Sequence, residues 1–363
     1  MKNISTKSIQ SQLILYFTIA ILVPTIITMV VGVKFISDQI ITHAETKTIS
    51  DLNSAHEIYR NKINQIESIT RLTSVRSLII EAIIKNDRAF LQKDLQKTLQ
   101  REKLDILTLV EQNGNVICRG RNTTFFGDNL LEDKFVQRVL STKKTTSGTN
   151  IFPRELLLKE SPGLADQALM KITETPKSKP TKATEKTSGM MLESAVPVFD
   201  EGQNFLGILI GGILVDRSYE IVDKIKEIVH EKGIYKGNEI GTATIFMNDI
   251  RVSTNVKNED GSRAITTLVS EEVHNTVLNE GKRFVGEAFV VNAWYISAYE
   301  PIKDIDGFIV GILYVGVLKQ PFDDILRNSL ITFLGIALLG IILIIFIAIY
   351  QAKKISKPLK QLE

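Results

Sequence analysis

One cysteine, Cys118, in 363 residues excludes an intrachain disulfide and any metal cluster built from cysteines. The four histidines, His43, His56, His230 and His274, are scattered, with none of the spacings that hold zinc, so no metal is expected. The chain also lacks a phosphate-cradling glycine loop, a nucleophile elbow and a nucleotide-binding box; no cofactor and no catalysis on this chain are expected. Net charge is small, with 44 Lys and Arg against 41 Asp and Glu, which removes the electrostatic case for a nucleic-acid partner. Between Lys34 and Asn86 there is neither glycine nor proline, so nothing of that kind interrupts a helix there.

What is present is uneven. Leu330–Tyr350 (LITFLGIALLGIILIIFIAIY) runs without a charge. At about 1.5 Å per residue it reaches roughly 31 Å, the thickness of a bilayer's hydrocarbon core. A second such run, Leu13–Val33, contains Pro24, which a membrane helix tolerates. Lys2, Lys7 and Lys34 flank the first run; Lys353, Lys354, Lys357 and Lys360 follow the second. Basic residues beside a span mark its cytoplasmic end. Both termini are therefore expected on the cytoplasmic side of a cell membrane, with residues 34–329 on the far side, periplasmic or extracellular. A cleaved signal peptide fits less well, because its apolar core is usually only about 7–15 residues.

From Lys34 to about Asn86 one apolar stripe passes through Ile41, Leu52, Ala55, Tyr59, Ile63, Ile66 and Ile79, which predicts a single long helix. We read it as a spine on which globular modules pack and through which two subunits dimerise; a coiled coil alone is the simpler alternative. His56 falls on this exterior helix and so is not a phospho-accepting residue. At Asp105–Arg119 the period changes to strand, Asn113–Gly114 turn, strand. A short helix is expected at about Leu131–Leu140, and Glu160–Ser188, rich in Pro, Lys, Thr and Ser, reads as an exposed insertion. The chain then repeats itself. PVFDEGQNFLGILIGGIL from Pro197 aligns without gaps to PIKDIDGFIVGILYVGVL from Pro301, placing Gly207 against Gly311 and Gly212 against Gly316. Thr242–Asn255 answers the first hairpin. The exterior is thus two related α+β modules in tandem, the first carrying the insertion.

These features together resemble the double-Cache extracytoplasmic sensor regions of bacterial sensor histidine kinases and methyl-accepting chemotaxis receptors, in which two Cache types are fused. The strands GILIGGIL and GILYVGVL, the run Phe289–Ile302 and the run Thr242–Gly261 carry the likeness. It implies an α+β fold: two tandem PAS-like modules with antiparallel sheets on a long N-terminal helix, flanked by two transmembrane helices. The expected boundaries are a cytoplasmic tip (1–12), a first span (13–33) and a spine with its connecting helix (34–103). A membrane-distal module follows (104–217, insertion about 160–188), then a linking helix (218–240) and a membrane-proximal module (241–320). An exit helix with the second span (321–350) and the start of a HAMP linker (351–363) complete the chain. The first module also looks like single-Cache citrate and dicarboxylate sensors, whose basic residues after the first hairpin grip carboxylates. Arg119, Arg121 and Gly127–Asp128 match that pattern, whereas Glu193 stands where those sensors place a basic residue.

A sensor pocket needs apolar walls and a few placed polar groups. Asn292, Trp294, Tyr295 and Tyr299 are the densest such set, with Arg251 and Asn255 on a strand of the same sheet. Alternation puts Tyr295, Ser297 and Tyr299 on one face, and Trp294, Ile296 and Ala298 on the other, where Trp294 suits packing against the spine. The same aromatics are also readable as core residues with satisfied polar tips, and Arg119 and Arg121 as solvated loop arginines. The function expected is a transmembrane receptor, a homodimer. It senses a small molecule, a small carboxylate among the classes implied, and moves the second span and HAMP linker against a kinase or chemotaxis output. The alternative is a membrane-anchored scaffold that binds proteins and no small ligand. An exterior hydrolase would need a nucleophile–base set, and the histidines have no such neighbours.

Overall fold

A computed structural model describes residues 9–229 and 233–359. Lys2, Lys7, His230 and Lys360 lie outside the described residues, and with them most of the expected tip and the end of QAKKISKPLKQLE. The chain divides into two units, Glu45–Leu318 and Met1–Ala44 with Lys319–Glu363.

Within Glu45–Leu318, helix α1 (Ile9–Ser74) supplies the buried stripe Leu52, Ala55, Tyr59 and Ile66. The single helix expected to reach Asn86 instead breaks at Val75–Arg76 before α2 (Ser77–Ile84). No glycine or proline causes this. Thr73 and Ser74 turn their hydroxyls back onto the carbonyls of Ile69 and Arg71, which weakens the last turn. Arg76 is extended, and its guanidinium forks onto Asp94 at 2.7 and 2.8 Å. Asp94 belongs to α3 (Arg88–Glu102), capped by Asp87 through the Phe90 N–H.

The first hairpin is β1 (Ile106–Glu111) and β2 (Val116–Arg119). The helix expected near 131–140 is α4 (Lys134–Thr142), begun by Asp133, whose carboxylate accepts from the Phe135 and Val136 N–H groups. There follow β3 (Thr146–Phe152), α5 (Arg154–Glu160) and α6 (Pro162–Ala168). The insertion is thus only in part an exposed loop. Leu164, Ala165, Ala168 and Met170 are buried, their apolar spacing masked by the polar composition around them. The two-residue strands β4 (Met170–Lys171) and β5 (Glu185–Lys186) pair at its base. Lys186 is buried in an ion pair with Asp216, which also accepts the Met190 N–H at 2.7 Å.

Strands β6 (Gly189–Phe199) and β7 (Phe205–Leu214) close the first sheet in the order β2-β1-β7-β6-β3. After α7 (Glu220–Val229) and the small pair β8 (Ile234–Tyr235) and β9 (Asn238–Glu239), the second module starts with β10 (Gly241–Met247) and β11 (Ile250–Thr254). The short α8 (Glu271–Val273) runs into a π-helical stretch, His274–Asn279, ahead of β12 (Phe284–Val290), β13 (Ala293–Lys303) and β14 (Ile309–Leu318). The order β11-β10-β14-β13-β12 is that of the first sheet, strand for strand, as the internal repeat predicts.

One face of each sheet shares a core with α1, joining Leu107, Leu192 and Leu209 to Ile245, Leu313 and Val315. The opposite faces are separate. Sheet one packs there on α4, α5 and α6; sheet two packs on Val256, Val273 and Val277. The first pair of repeated glycines, Gly207 and Gly311, has one cause. Gly207 lies opposite Glu111 and Gly311 opposite Met247. A Cβ at either would come within 2.3 and 2.1 Å of the Val110 and Phe246 carbonyl oxygens. The turn Asp304–Gly307 of the second module meets the first through Lys134–Asp304 and Arg138–Asp306 ion pairs.

The other unit holds the two apolar segments. Each lies in a helix long and apolar enough to cross a membrane, one in α1 and one in α9 (Gln320–Leu359). Pro24 sits inside α1 without ending it, and Ile336, Leu339 and Phe346 of α9 are exposed.

Candidate functional site

Arg119 and Arg121, two positions apart, meet different fates. Arg119 ends β2 and is completely buried. Its guanidinium forks onto Asp128 at 2.7 and 3.0 Å and its Nε donates to Glu160 at 2.7 Å. Burial pulls the Arg119 pKa down, but the two carboxylates outweigh it and raise it. Burial raises the Glu160 pKa, whereas the Asp128 pKa ends below its usual value because Arg119 and Lys159 outweigh its burial. Both carboxylates face the one guanidinium. Arg121 is half-exposed and bonds the Asp105 carboxylate at 2.9 Å. Both arginines grip carboxylates, and the carboxylates belong to this chain.

Glu193 on β6 is also buried, 1% exposed. Asn150 donates to its Oε2 at 2.7 Å and to Asp133 at 3.2 Å, while Oε1 has no partner. Burial first, then the negative Asp133, push the Glu193 carboxyl well above the usual carboxylate range. Asp133 and Asn150 also line a cleft of about 640 Å³ with Lys134 and Lys159.

In the second module Arg251 points from β11 into the core, 3% exposed. It donates to the Thr267 hydroxyl, and more weakly to the Ala264 carbonyl at 3.4 Å. Its Nε bonds nothing, and among the described residues it forms no ion pair. Around it stand Tyr295, Tyr299, Tyr314 and the Phe246 ring, 5.1 Å away. Burial accordingly draws the arginine's pKa below its usual value. A guanidinium taken from water without a counter-charge is costly, so this site is short of one negative charge. The residual cavity at Arg251, about 20 Å³, is walled by Leu268, Val269, Phe289, Val290, Val291 and Tyr299. It is roofed by Thr175–Lys177 of the first module's insertion.

Of the eight candidates, the fold thus brings together Arg251, Tyr295 and Tyr299. Trp294 and Asn292 lie at the rim, exposed; Trp294 does not pack on the spine. Burial on its face begins at Ile296, and the Trp294 ring (43% exposed) meets Phe289 at 5.7 Å and Lys177 Nζ at 4.1 Å. Asn255 is structural, accepting the Ala243 N–H at 2.8 Å and donating to Val222 of α7. Arg119 and Arg121 lie in the other module. Sequence reading missed Thr175 and Lys177 because their role comes from a crossing between modules, and Thr267 because it reaches Arg251 from a loop with no periodic signal. His56 of α1 is held by Glu300 at 2.7 Å, which Arg283 also grips.

Residues 213–329 match the family model described as Single cache domain 3. No curated protein matches the chain. Among solved structures it is similar to the periplasmic domain of Vibrio cholerae LuxQ, at 11% identity and TM-score 0.43 over 74% of this chain and 98% of that one. The V. cholerae histidine kinase DctB sensor domain gives 10% and 0.42, covering 77% and 98%. The sensory domain of the Campylobacter jejuni chemoreceptor Tlp3, with isoleucine bound, gives 10% and 0.41, covering 81% and 97%.

Proposed function

We propose that this chain, which carries a Cache sensor region, is a transmembrane signal-transduction receptor that binds a small molecule outside the cell and moves a helix inside it. Residues 34–329 face the exterior, both termini are cytoplasmic, and residues 351–363 begin a HAMP linker toward a kinase or chemotaxis output. Two copies pair along α1. The region binds its ligand without turning it over.

The observation that carries this reading is a connection. β14, the central strand of the second sheet, bears Tyr314 beside Arg251 and reaches the apolar helix α9 across one residue, Lys319. A change at the Arg251 cavity has a covalent route of a few residues to α9. The coupling needed between two states is modest, roughly 1–3 kcal/mol, which a few contacts differing between them supply.

The test is a metabolite screen on the full chain in lipid nanodiscs, read by melting temperature and by a spectroscopic reporter at Lys354→Cys. Cys118 will not compete for the label, because burial pushes its thiol up to about 12. The reading predicts a molecule that raises the melting temperature and also shifts the reporter. Melting shifts with a silent reporter for every ligand would overturn it, as would a screen with no ligand at all.

A further inference from the structure

The unbalanced charge at Arg251 and the roof above it point to one ligand chemistry. Deepening the sensor reading above, on which it rests, the geometry points to the second module's cavity as the binding site of a small monocarboxylate, admitted when the strap formed by residues 172–184 lifts.

Three observations converge. The first is the guanidinium itself, with a free Nε lining a cavity where no carboxylate of the described chain reaches it. An anion supplied from outside completes it, and a carboxylate matches a guanidinium edge in two parallel hydrogen bonds. The second is the composition of the walls. Leu268, Val269, Phe289, Val290 and Val291 supply apolar side chains, with Ser270 and Tyr299 the polar residues among them, so the ligand's remainder is a short, mainly hydrocarbon or aromatic body. One buried positive charge balances a monoanion; Lys177 at the mouth is exposed and hydrated, so the second charge of phosphate or a dicarboxylate would have no buried partner inside the cavity.

The third is the strap. Closed, the cavity of about 20 Å³ holds roughly one water, so a carboxylic acid enters only if a wall moves. No residue from Ile172 to Glu185 is buried. The strap is held by a few hydrogen bonds: Thr173 N–H to Thr266 at 3.0 Å, Leu268 N–H to Thr173 at 3.2 Å and Glu271 N–H to Lys177 at 2.8 Å. A segment held this way opens at a fraction of the global unfolding free energy. Two β-branched residues at its seat, Thr266 and Val291, have φ of 74° and 56°, a conformation such side chains rarely adopt. Lys177, poised over Trp294 and Phe289, marks the mouth.

The experiment titrates the full chain in nanodiscs with propionate, butyrate and benzoate. Butyramide, sodium phosphate and sodium sulfate at matched ionic strength are the controls. Monocarboxylates should bind, and butyramide, phosphate and sulfate should bind at least 10-fold more weakly. Arg251→Met should weaken butyrate about 100-fold while its ligand-free melting temperature stays level or rises, because an unpaired buried charge has gone. Should that variant fail to fold, Thr173→Cys with Thr266→Cys decides. Their hydroxyls lie 3.0 Å apart, and oxidation should slow butyrate association at least 10-fold, with reduction restoring it.

Equal affinity in Arg251→Met overturns the assignment, as does phosphate binding tighter than butyrate, unchanged association in the oxidised pair, or no monocarboxylate bound. If the carboxylates fail while another molecule moves the Lys354→Cys reporter, the sensor reading stands and this site assignment alone falls.

Discussion

Replacing Glu193 by Gln tests the electrostatics of the first module. In the folded chain this carboxyl has an unpartnered Oε1 and faces Asp133 across Asn150, so it holds its proton well above the usual range. Unfolded, it ionises near 4.5, the ordinary value of a glutamate. Between those two values the folded state binds one more proton than the unfolded state. Stability from this group is therefore full below the unfolded pKa and is lost as pH rises toward the folded one. The slope of a single proton is about 1.4 kcal/mol per pH unit. For a domain of this size that is roughly 3–5 °C in melting temperature per unit. Glutamine keeps a carbonyl acceptor for Asn150 and cannot ionise. Calorimetry of the two full chains in nanodiscs from pH 4.5 to 7.5 should show curves that meet at the acid end. They should then diverge as pH rises, with Glu193→Gln the more stable at pH 7. Parallel curves, or a variant less stable at neutral pH, would refute the reasoning.

Three further substitutions follow from the fold. Lys186→Met strands the fully buried Asp216 without its partner and should cost about 3–5 kcal/mol, read as a drop in denaturation midpoint; a loss below about 1 kcal/mol would contradict the pairing. Gly311→Ala drives a methyl onto the Phe246 carbonyl and should cost about 1–3 kcal/mol, with Gly207→Ala similar against Val110; thermal melts of the pair would check both. Arg119→Met strips the buried Glu160 of its guanidinium and leaves the part-buried Asp128 with Lys159 alone, and should destabilise by about 3–5 kcal/mol, the loss shrinking as acid protonates Glu160, whose pKa is already raised by burial. A loss that grew in acid would contradict the internal grip.

What the sequence made legible was whatever depends on local spacing. The two Pro-x₉-Gly-Ile-Leu runs are hairpins in matching sheets because each glycine answers a carbonyl of the neighbouring strand, a demand written at fixed offsets. The apolar runs and the α1 stripe are periodic and were readable for the same reason. Contacts across long separations were not. Glu160 lies 41 residues from Arg119, so an arginine beside the first hairpin reads equally as a solvated loop residue, a ligand grip or an internal ion pair. The break at Val75–Arg76 needs Asp94, and the cover over Arg251 needs a strap from the other module. Arg251 and its tyrosines were nameable from strand alternation, but the missing counter-charge shows only in three dimensions.

The central claim is that a ligand-binding region and the end of α9 lie on opposite sides of a membrane. Single cysteines introduced by Trp294→Cys and Lys354→Cys, labelled in intact cells with a membrane-impermeant maleimide, test it most directly. The account predicts labelling at position 294 from outside, and at position 354 only after the cells are permeabilised. Both positions reacting from one side would contradict it.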